Sequence, residues 1–169
     1  MSTLNNRRNF YQRTILDLYK NPRHKGETNP VHKSHQGCNP YCGDTIKITI
    51  LLNQARNNIE DIKFDGQGCV ISMASAELMA HALLDKSTDE ALKIVERFRS
   101  MMQGKFTFSE ELRRLNVMQG ITHLSRIKCA TLAWHTCKAA LKSTNTSGLS
   151  EFSIDEQETL QLLINKGGR

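Results

Sequence analysis

The sequence DTIKITILL, residues 44–52, decides the fold. Its isoleucines occupy every second position and alternate with threonine and lysine, which is the period of a β-strand with one buried face. Residues 53–58 have the polar composition of a turn, and residues 59–66 then repeat the alternation. The pattern therefore predicts two antiparallel strands joined by a short connection.

Two strands alone are marginally stable, so a third strand or a cover of helices must complete the sheet. Two segments are candidates for the third strand: the residues near Cys69–Ile71 and the loop before Cys42. Helical spacing, helix caps and capping boxes predict helices in the remaining chain. The predicted helices cover 5–20, 72–84, 87 to about 104, a short segment from 109, 130–141, and the C-terminal end of the chain.

The chain has 169 residues, which is enough for one domain with its own core and short for two. We expect a domain over residues 1–142, a polar linker over 143–150 and a C-terminal helix over 151–169. The helix is expected from a capping box that begins at Ser153 and from a leucine and isoleucine stripe after it.

Composition and charge exclude several classes of protein. The chain is 38% hydrophobic and 24% charged, as in ordinary soluble domains. No apolar run approaches the roughly 20 residues of a membrane span, and the polar opening is not a secretory signal, so we expect a cytoplasmic protein without membrane contact. Of the net charge of +6, residues 1–35 carry +5, from seven basic and two acidic residues. No base-reading motif or aromatic cluster accompanies this excess, so we expect no nucleic-acid partner.

Five cysteines cannot all pair with one another, and a reducing cytosol would keep them as thiols. Cys42, Cys69 and Cys129 each lie at the edge of a predicted element, and Asp44 follows Cys42 by two residues. We expect these four side chains to meet around one metal ion, zinc by the chemistry of the donors, with Cys42 also a reactive thiol. Their spacing matches no standard zinc finger, so the alternative is that these are ordinary buried cysteines that bind no metal.

Further residues qualify this hypothesis. Three thiolates and a carboxylate would leave a zinc site negatively charged, and Arg126 and Lys128 are close enough in sequence to compensate. Cys38 is either a spare ligand or an exposed or structural thiol, and Cys137 is expected to be a buried structural thiol. The histidines at 24, 32 and 35 lie in a segment without periodicity, which predicts solvated loop residues rather than ligands.

Four stretches of the chain resemble the IscU/SufU family of iron–sulfur biogenesis proteins. They are DLYKNPR at 17–23, NPYCGD at 39–44, FDGQGCVISMAS at 64–75 and RIKCA at 126–130. Lys128 stands where the IscU branch has a histidine, and the helical insert between Cys69 and Cys129 looks like that of the SufU branch.

The resemblance implies an α+β fold with a small antiparallel sheet of about three strands covered by helices. It also implies zinc held by Cys42, Asp44, Cys69 and Cys129, with iron or an iron–sulfur cluster as the alternative. The implied function is a zinc-dependent sulfurtransferase in which Cys42 accepts persulfide sulfur from a SufS-type cysteine desulfurase and relays it to other cluster-assembly proteins. Arg126 would position or steer the thiol. A scaffold on which clusters are assembled, and a purely structural zinc module, are the competing functions.

Overall fold

The computed structural model describes residues 3–144 and 151–153. The fold belongs to the α+β class, as the sequence predicts. Its elements are α1 (Thr3–Lys20), β1 (Lys33–Asn39), β2 (Asp44–Leu52), β3 (Ile59–Gln67), α2 (Val70–Leu83), α3 (Thr88–Met102), a 3-10 helix (Glu110–Gly120), α4 (Leu124–Lys142) and β4 (Glu151–Ser153).

The sheet has the strand order β3-β2-β1-β4. β2 pairs antiparallel with β3, as predicted, and antiparallel with β1 on its other side. The third strand is thus the segment before Cys42, one of the two candidates. The three-residue β4 adds to the free edge of β1 in parallel.

β1 lies close against α4. Its inward positions are His35, Gly37 and Asn39, all buried, and none of them is a large apolar residue. A Cβ atom at Gly37 would lie 2.0 Å from the Thr136 side-chain oxygen of α4, so the strand and the helix could not approach this closely with any other residue.

The core lies between the sheet and the helices α2 and α4. The three isoleucines of β2 that the alternation assigns to the inner face, Ile46, Ile48 and Ile50, have no exposed surface. On the other side of α4, the Trp134 ring stacks on Phe98 of α3, with ring centroids 3.9 Å apart. Trp134 also donates its indole N–H to the Ser75 hydroxyl across 3.0 Å, which ties α4 to α2.

Helix α1 forms over nearly the predicted range, and its inner face is aliphatic rather than aromatic. Ile15 and Leu18 are buried, whereas Phe10 is 64% and Tyr19 42% exposed. The aliphatic residues are the ones that dock, because α1 packs on the surface of α2 rather than into the sheet.

The prediction of solvated loop histidines is wrong. His24 and His35 are buried, and His32 is partly buried. The backbone N–H of His24 donates to Glu77 across 3.0 Å, and its ring Nδ1 lies 2.8 Å from the second oxygen of the same carboxylate. His32 accepts from the backbone N–H of Leu52 at Nδ1. His24 and His32 thereby hold the segment before β1 onto the domain, a role that periodicity does not reveal.

The C-terminal predictions are largely outside the described residues. Helix α4 ends at Lys142, where the predicted domain ends. Residues 151–153, the start of the range predicted as helix, form strand β4. Residues 145–150 and 154–169 lie outside the described part, so the linker and most of the C-terminal helix stay predictions.

None of the helices in the described ranges combines the length and the apolar character of a membrane span. The cytoplasmic location stays a prediction.

Candidate metal and thiol site

Cys42 lies at the tip of the hairpin that joins β1 to β2. The hairpin is organised by Asn39, whose carbonyl accepts the N–H groups of Cys42 and Gly43 and whose side-chain oxygen accepts that of Tyr41. The Asn39 amide in turn donates to the Cys42 sulfur across 2.9 Å. Gly43 has a φ of 70°, the left-handed region in which glycine is favoured. This tight turn leaves Cys42 exposed.

Asp44, the first residue of β2, is buried at the start of α2. One carboxylate oxygen accepts the backbone N–H of Cys69 across 3.0 Å, and the other accepts the Ser72 hydroxyl in a short hydrogen bond. The positive end of the helix dipole favours a carboxylate there. Gly68 lies against this carboxylate, since a Cβ at that position would lie 3.4 Å from the Asp44 carboxyl carbon and 3.1 Å from the Ser72 Cβ.

Cys42, Asp44 and Cys129 form a compact cluster. Their ligand atoms all lie within 4.8 Å of one another. The sulfur atoms of Cys42 and Cys129 are 3.3 Å apart. In tetrahedral zinc sites two thiolate sulfurs lie about 3.8 Å apart, so a small widening of this pair would accommodate the ion. Two soft sulfurs and one carboxylate at this spacing fit a zinc ion.

Cys69, the fourth predicted ligand, borders this cluster without belonging to the compact set. It is the N-cap of α2, its sulfur accepting the backbone N–H of Ser72, so the helix begins two residues before the predicted start at residue 72. A hydrogen bond from the Cys129 thiol lowers the pKa of Cys69 to about 5, and the same bond raises the pKa of Cys129. Burial raises the pKa of Cys42. Without a metal, Cys69 is therefore the thiolate of the group.

Arg126 lies beside two of these sulfurs. Helix α4 begins at Leu124, six residues before the predicted start at Ala130, so Arg126 and Cys129 share one helical face at a spacing of three. Hydrogen bonding to Cys129, together with the charge of Cys69, raises the pKa of Arg126. The guanidinium is exposed and so accessible to a partner.

The remaining cysteines lie apart from this arrangement. Cys38 is half-buried and pairs with Thr45, on the opposite sheet face from Gly37 and Asn39. Cys137 is buried in the core, as predicted, and burial raises its pKa to about 12.

Sequence reasoning missed the roles of two polar residues: Asn39 holds the hairpin, and Ser72 holds Asp44. The sequence does carry a signal for Asn39. It precedes Pro40, and Gly43 and Asp44 follow shortly after; asparagine, proline, glycine and aspartate are the residues typical of turns.

The chain also matches known proteins. The family model of the NifU-like N-terminal domain matches residues 10–147. The chain belongs to the IscU/SufU family. It is 43% identical over 127 residues to the zinc-dependent sulfurtransferase SufU of Bacillus subtilis, covering 74% of this chain and 84% of that protein.

A second relative in the IscU/SufU family has a similar sequence identity to this chain but a different described function. The iron–sulfur cluster assembly scaffold protein IscU of Streptococcus pyogenes is 37% identical over 150 residues, covering 87% of this chain and 92% of that protein. Among solved structures, FiSufU of Fervidobacterium islandicum, described as a candidate iron–sulfur cluster assembly scaffold protein for the SUF system, matches with a TM-score of 0.66 and 32% identity, over 76% of this chain and 94% of that one. The family and fold expected from the sequence are thus confirmed, and the chain belongs to a family of iron–sulfur cluster assembly.

Proposed function

We propose that this protein is a zinc-dependent sulfurtransferase that accepts persulfide sulfur from a cysteine desulfurase on Cys42 and relays it to iron–sulfur cluster assembly. One observation carries the proposal. Cys42 is exposed at a hairpin tip, yet its sulfur touches Cys129 and clusters with Asp44. A thiol in this position can bind a metal from one side and be reached by a partner from the other.

Zinc is the proposed cofactor, held by Cys42, Asp44, Cys69 and Cys129. The three thiolates and one carboxylate suit this ion, and bound zinc would keep Cys42 deprotonated at neutral pH. Arg126, already hydrogen-bonded to Cys129, offsets part of the negative charge. The name of the Bacillus relative, which is 43% identical, supports this choice of metal.

The transfer step is redox-neutral thiol chemistry. The Cys42 thiolate attacks the outer sulfur of a cysteine persulfide on the desulfurase. The sulfur–sulfur bond of the partner breaks, its cysteine leaves as a thiolate, and a new sulfur–sulfur bond forms on Cys42. The outer sulfur keeps its proton, so no external oxidant or reductant is required.

The partner in this proposal is a SufS-type desulfurase, which carries pyridoxal phosphate. The face around the hairpin is where it would dock, because Cys42 and Arg126 are both exposed there. Arg126 is then placed to steer the thiolate or to bind an acidic group of the partner.

Assembly of a cluster on this chain is the second candidate, favoured by the 37% identity to the IscU scaffold protein of Streptococcus pyogenes. Lys128 argues against it. A lysine stands where the resemblance to the IscU branch would require a histidine ligand, and an ammonium group cannot coordinate iron.

A sulfur-transfer assay separates the candidates. The protein, with its metal content measured as purified, is incubated with a desulfurase and cysteine, and its peptides are analysed by mass spectrometry. We expect zinc and one added sulfur atom on the Cys42 peptide. Cys42→Ser should lose the added sulfur, whereas Cys38→Ser, a matched change four residues away on the other sheet face, should keep it. Added sulfur on another cysteine, or a stable transferable cluster after anaerobic reconstitution, would contradict the proposal.

A further inference from the structure

Tyr41 and Lys128 form a contact beside the candidate site. The Lys128 ammonium lies 3.9 Å from the centroid of the Tyr41 ring, within the range of a cation–π interaction. Tyr41 precedes Cys42 on the hairpin, and Lys128 precedes Cys129 on α4. The contact therefore joins the same two elements as the contact between the Cys42 and Cys129 sulfurs.

The position of Tyr41 distinguishes this contact from ordinary packing. The side chain is 60% exposed, so burial of its ring does little to hold the hairpin. At Gly43, the residue after Cys42, no atom lies within 4 Å of the position that a Cβ would take, so no side chain packs against this point of the turn. A modest contact between the hairpin and α4 can therefore change how often the hairpin opens.

We propose that the Lys128–Tyr41 contact is a latch that sets how often Cys42 leaves the site. This inference rests on the proposed function, in which Cys42 must detach to meet the desulfurase. Lys128 and Tyr41 are positioning residues in this role: they hold the hairpin against α4, and neither receives sulfur. With the latch closed Cys42 stays beside Cys129, and a partner that displaces Tyr41 or Lys128 releases it.

The test measures alkylation of Cys42 in the protein as purified, with its metal content recorded. Iodoacetamide is added without the desulfurase, and the Cys42 peptide is followed by mass spectrometry. Lys128→Met and Tyr41→Leu remove the latch, whereas Lys128→Arg and Tyr41→Phe keep a cation over an aromatic ring. Lys105→Met, in the exposed turn after α3, controls for the loss of one positive charge.

We expect Lys128→Met and Tyr41→Leu each to accelerate alkylation of Cys42 by about two- to five-fold, the factor that a cation–π contact at an exposed site provides. The double variant should be no faster than either single variant, because both remove the same contact. Three control variants should react at the wild-type rate: Lys128→Arg, Tyr41→Phe and Lys105→Met. Loss of the positive charge of Lys128 would by itself disfavour the Cys42 thiolate and slow its alkylation. Faster alkylation in Lys128→Met therefore indicates that the hairpin opens more often.

A kinetic assay with the desulfurase adds a second readout. If opening limits productive docking, the latch variants should reach half-maximal desulfurase stimulation at a lower concentration, by the same factor, with an unchanged maximal rate. Equal alkylation rates in all variants, multiplicative effects in the double variant, or a higher half-maximal concentration would overturn the latch. Its failure is separate from that of the proposed function: wild-type protein that accepts sulfur on Cys42 without any latch effect refutes only the latch, and wild-type protein that accepts none there refutes the function.

Discussion

β1 and α4 approach each other closely at Gly37, so we predict that one destabilising mutation, Thr136→Ala, will partly rescue another, Gly37→Ala. In Gly37→Ala the new methyl group would lie 2.0 Å from the Thr136 hydroxyl oxygen and 3.2 Å from its Cβ. The hydroxyl donates to the Leu132 carbonyl across 2.8 Å, and a β-branched residue in a helix has few rotamers, so it cannot simply turn away. The strand and the helix must therefore separate.

Overpacking of this kind costs about 1–3 kcal/mol. The lower backbone entropy of alanine in the unfolded chain returns about 0.4–1 kcal/mol. The net loss in the free energy of unfolding is then about 1–2 kcal/mol, or a fall of roughly 2–8 °C in Tm for a chain of this size.

Thr136→Ala removes the clashing oxygen and leaves the 3.2 Å contact with Cβ, which a small shift relieves. In the wild-type background this substitution should destabilise the protein, because it deletes buried atoms. In the Gly37→Ala background it should stabilise it.

Urea denaturation of the four proteins, in the same metal state, measures the coupling between the two positions. Additive losses in the double variant, or a Gly37→Ala protein as stable as the wild type, would refute the packing described here. The hairpin of Cys42 starts two residues after Gly37, so the same variants should also alter the reactivity of Cys42.

Three further predictions concern the site. Asn39→Ala removes two hydrogen bonds of a fully buried side chain, so we expect a loss of about 2–3 kcal/mol in the free energy of unfolding measured by urea denaturation, and an unchanged free energy of unfolding would contradict this account. Folding without metal lowers the pKa of Cys69 from 9.0 to about 5. The thiolate should therefore stabilise the metal-free protein increasingly as pH rises between these values, and this contribution should be lost as pH falls through about 5. Cys69→Ser should remove that component of the pH profile, and an unchanged profile would refute it. Chelation of the metal should lower Tm in calorimetry and stop sulfur transfer to Cys42, with both restored by zinc alone; a chelated protein that still accepts sulfur would contradict a zinc-dependent step.

The strands that could be predicted are those whose inner face is apolar. β2 and β3 follow from alternation, because Ile46, Ile48 and Ile50 of β2 and Ile62 and Phe64 of β3 are buried at every second position. β1 carries His35, Gly37 and Asn39 inward, and no hydrophobic pattern can reveal a strand whose inner residues serve close packing and hydrogen bonding. The same reason explains the buried histidines, which are held by specific partners rather than by apolar surface.

The convergence of the site residues could be anticipated in part. Loop and helix boundaries near Cys42, Cys69 and Cys129 indicated a shared location, and the structure brings these sulfurs and Asp44 to one end of the fold. Local details could not be anticipated, because they depend on contacts between distant residues: the N-cap at Cys69 is fixed by Asp44, which lies 25 residues earlier. That these four residues bind a metal stays a prediction.

The four predicted ligands are held with unequal firmness, and this inequality is our reason for assigning sulfur acceptance to Cys42. Asp44 is fixed by two hydrogen bonds at the start of α2, Cys69 caps that helix, and Cys129 is buried in α4. Cys42 alone among the four is exposed, on a hairpin held by Asn39 and by the Tyr41–Lys128 contact. A partner that displaces one ligand will therefore meet least resistance at Cys42, since moving any other would disrupt a helix start or the core.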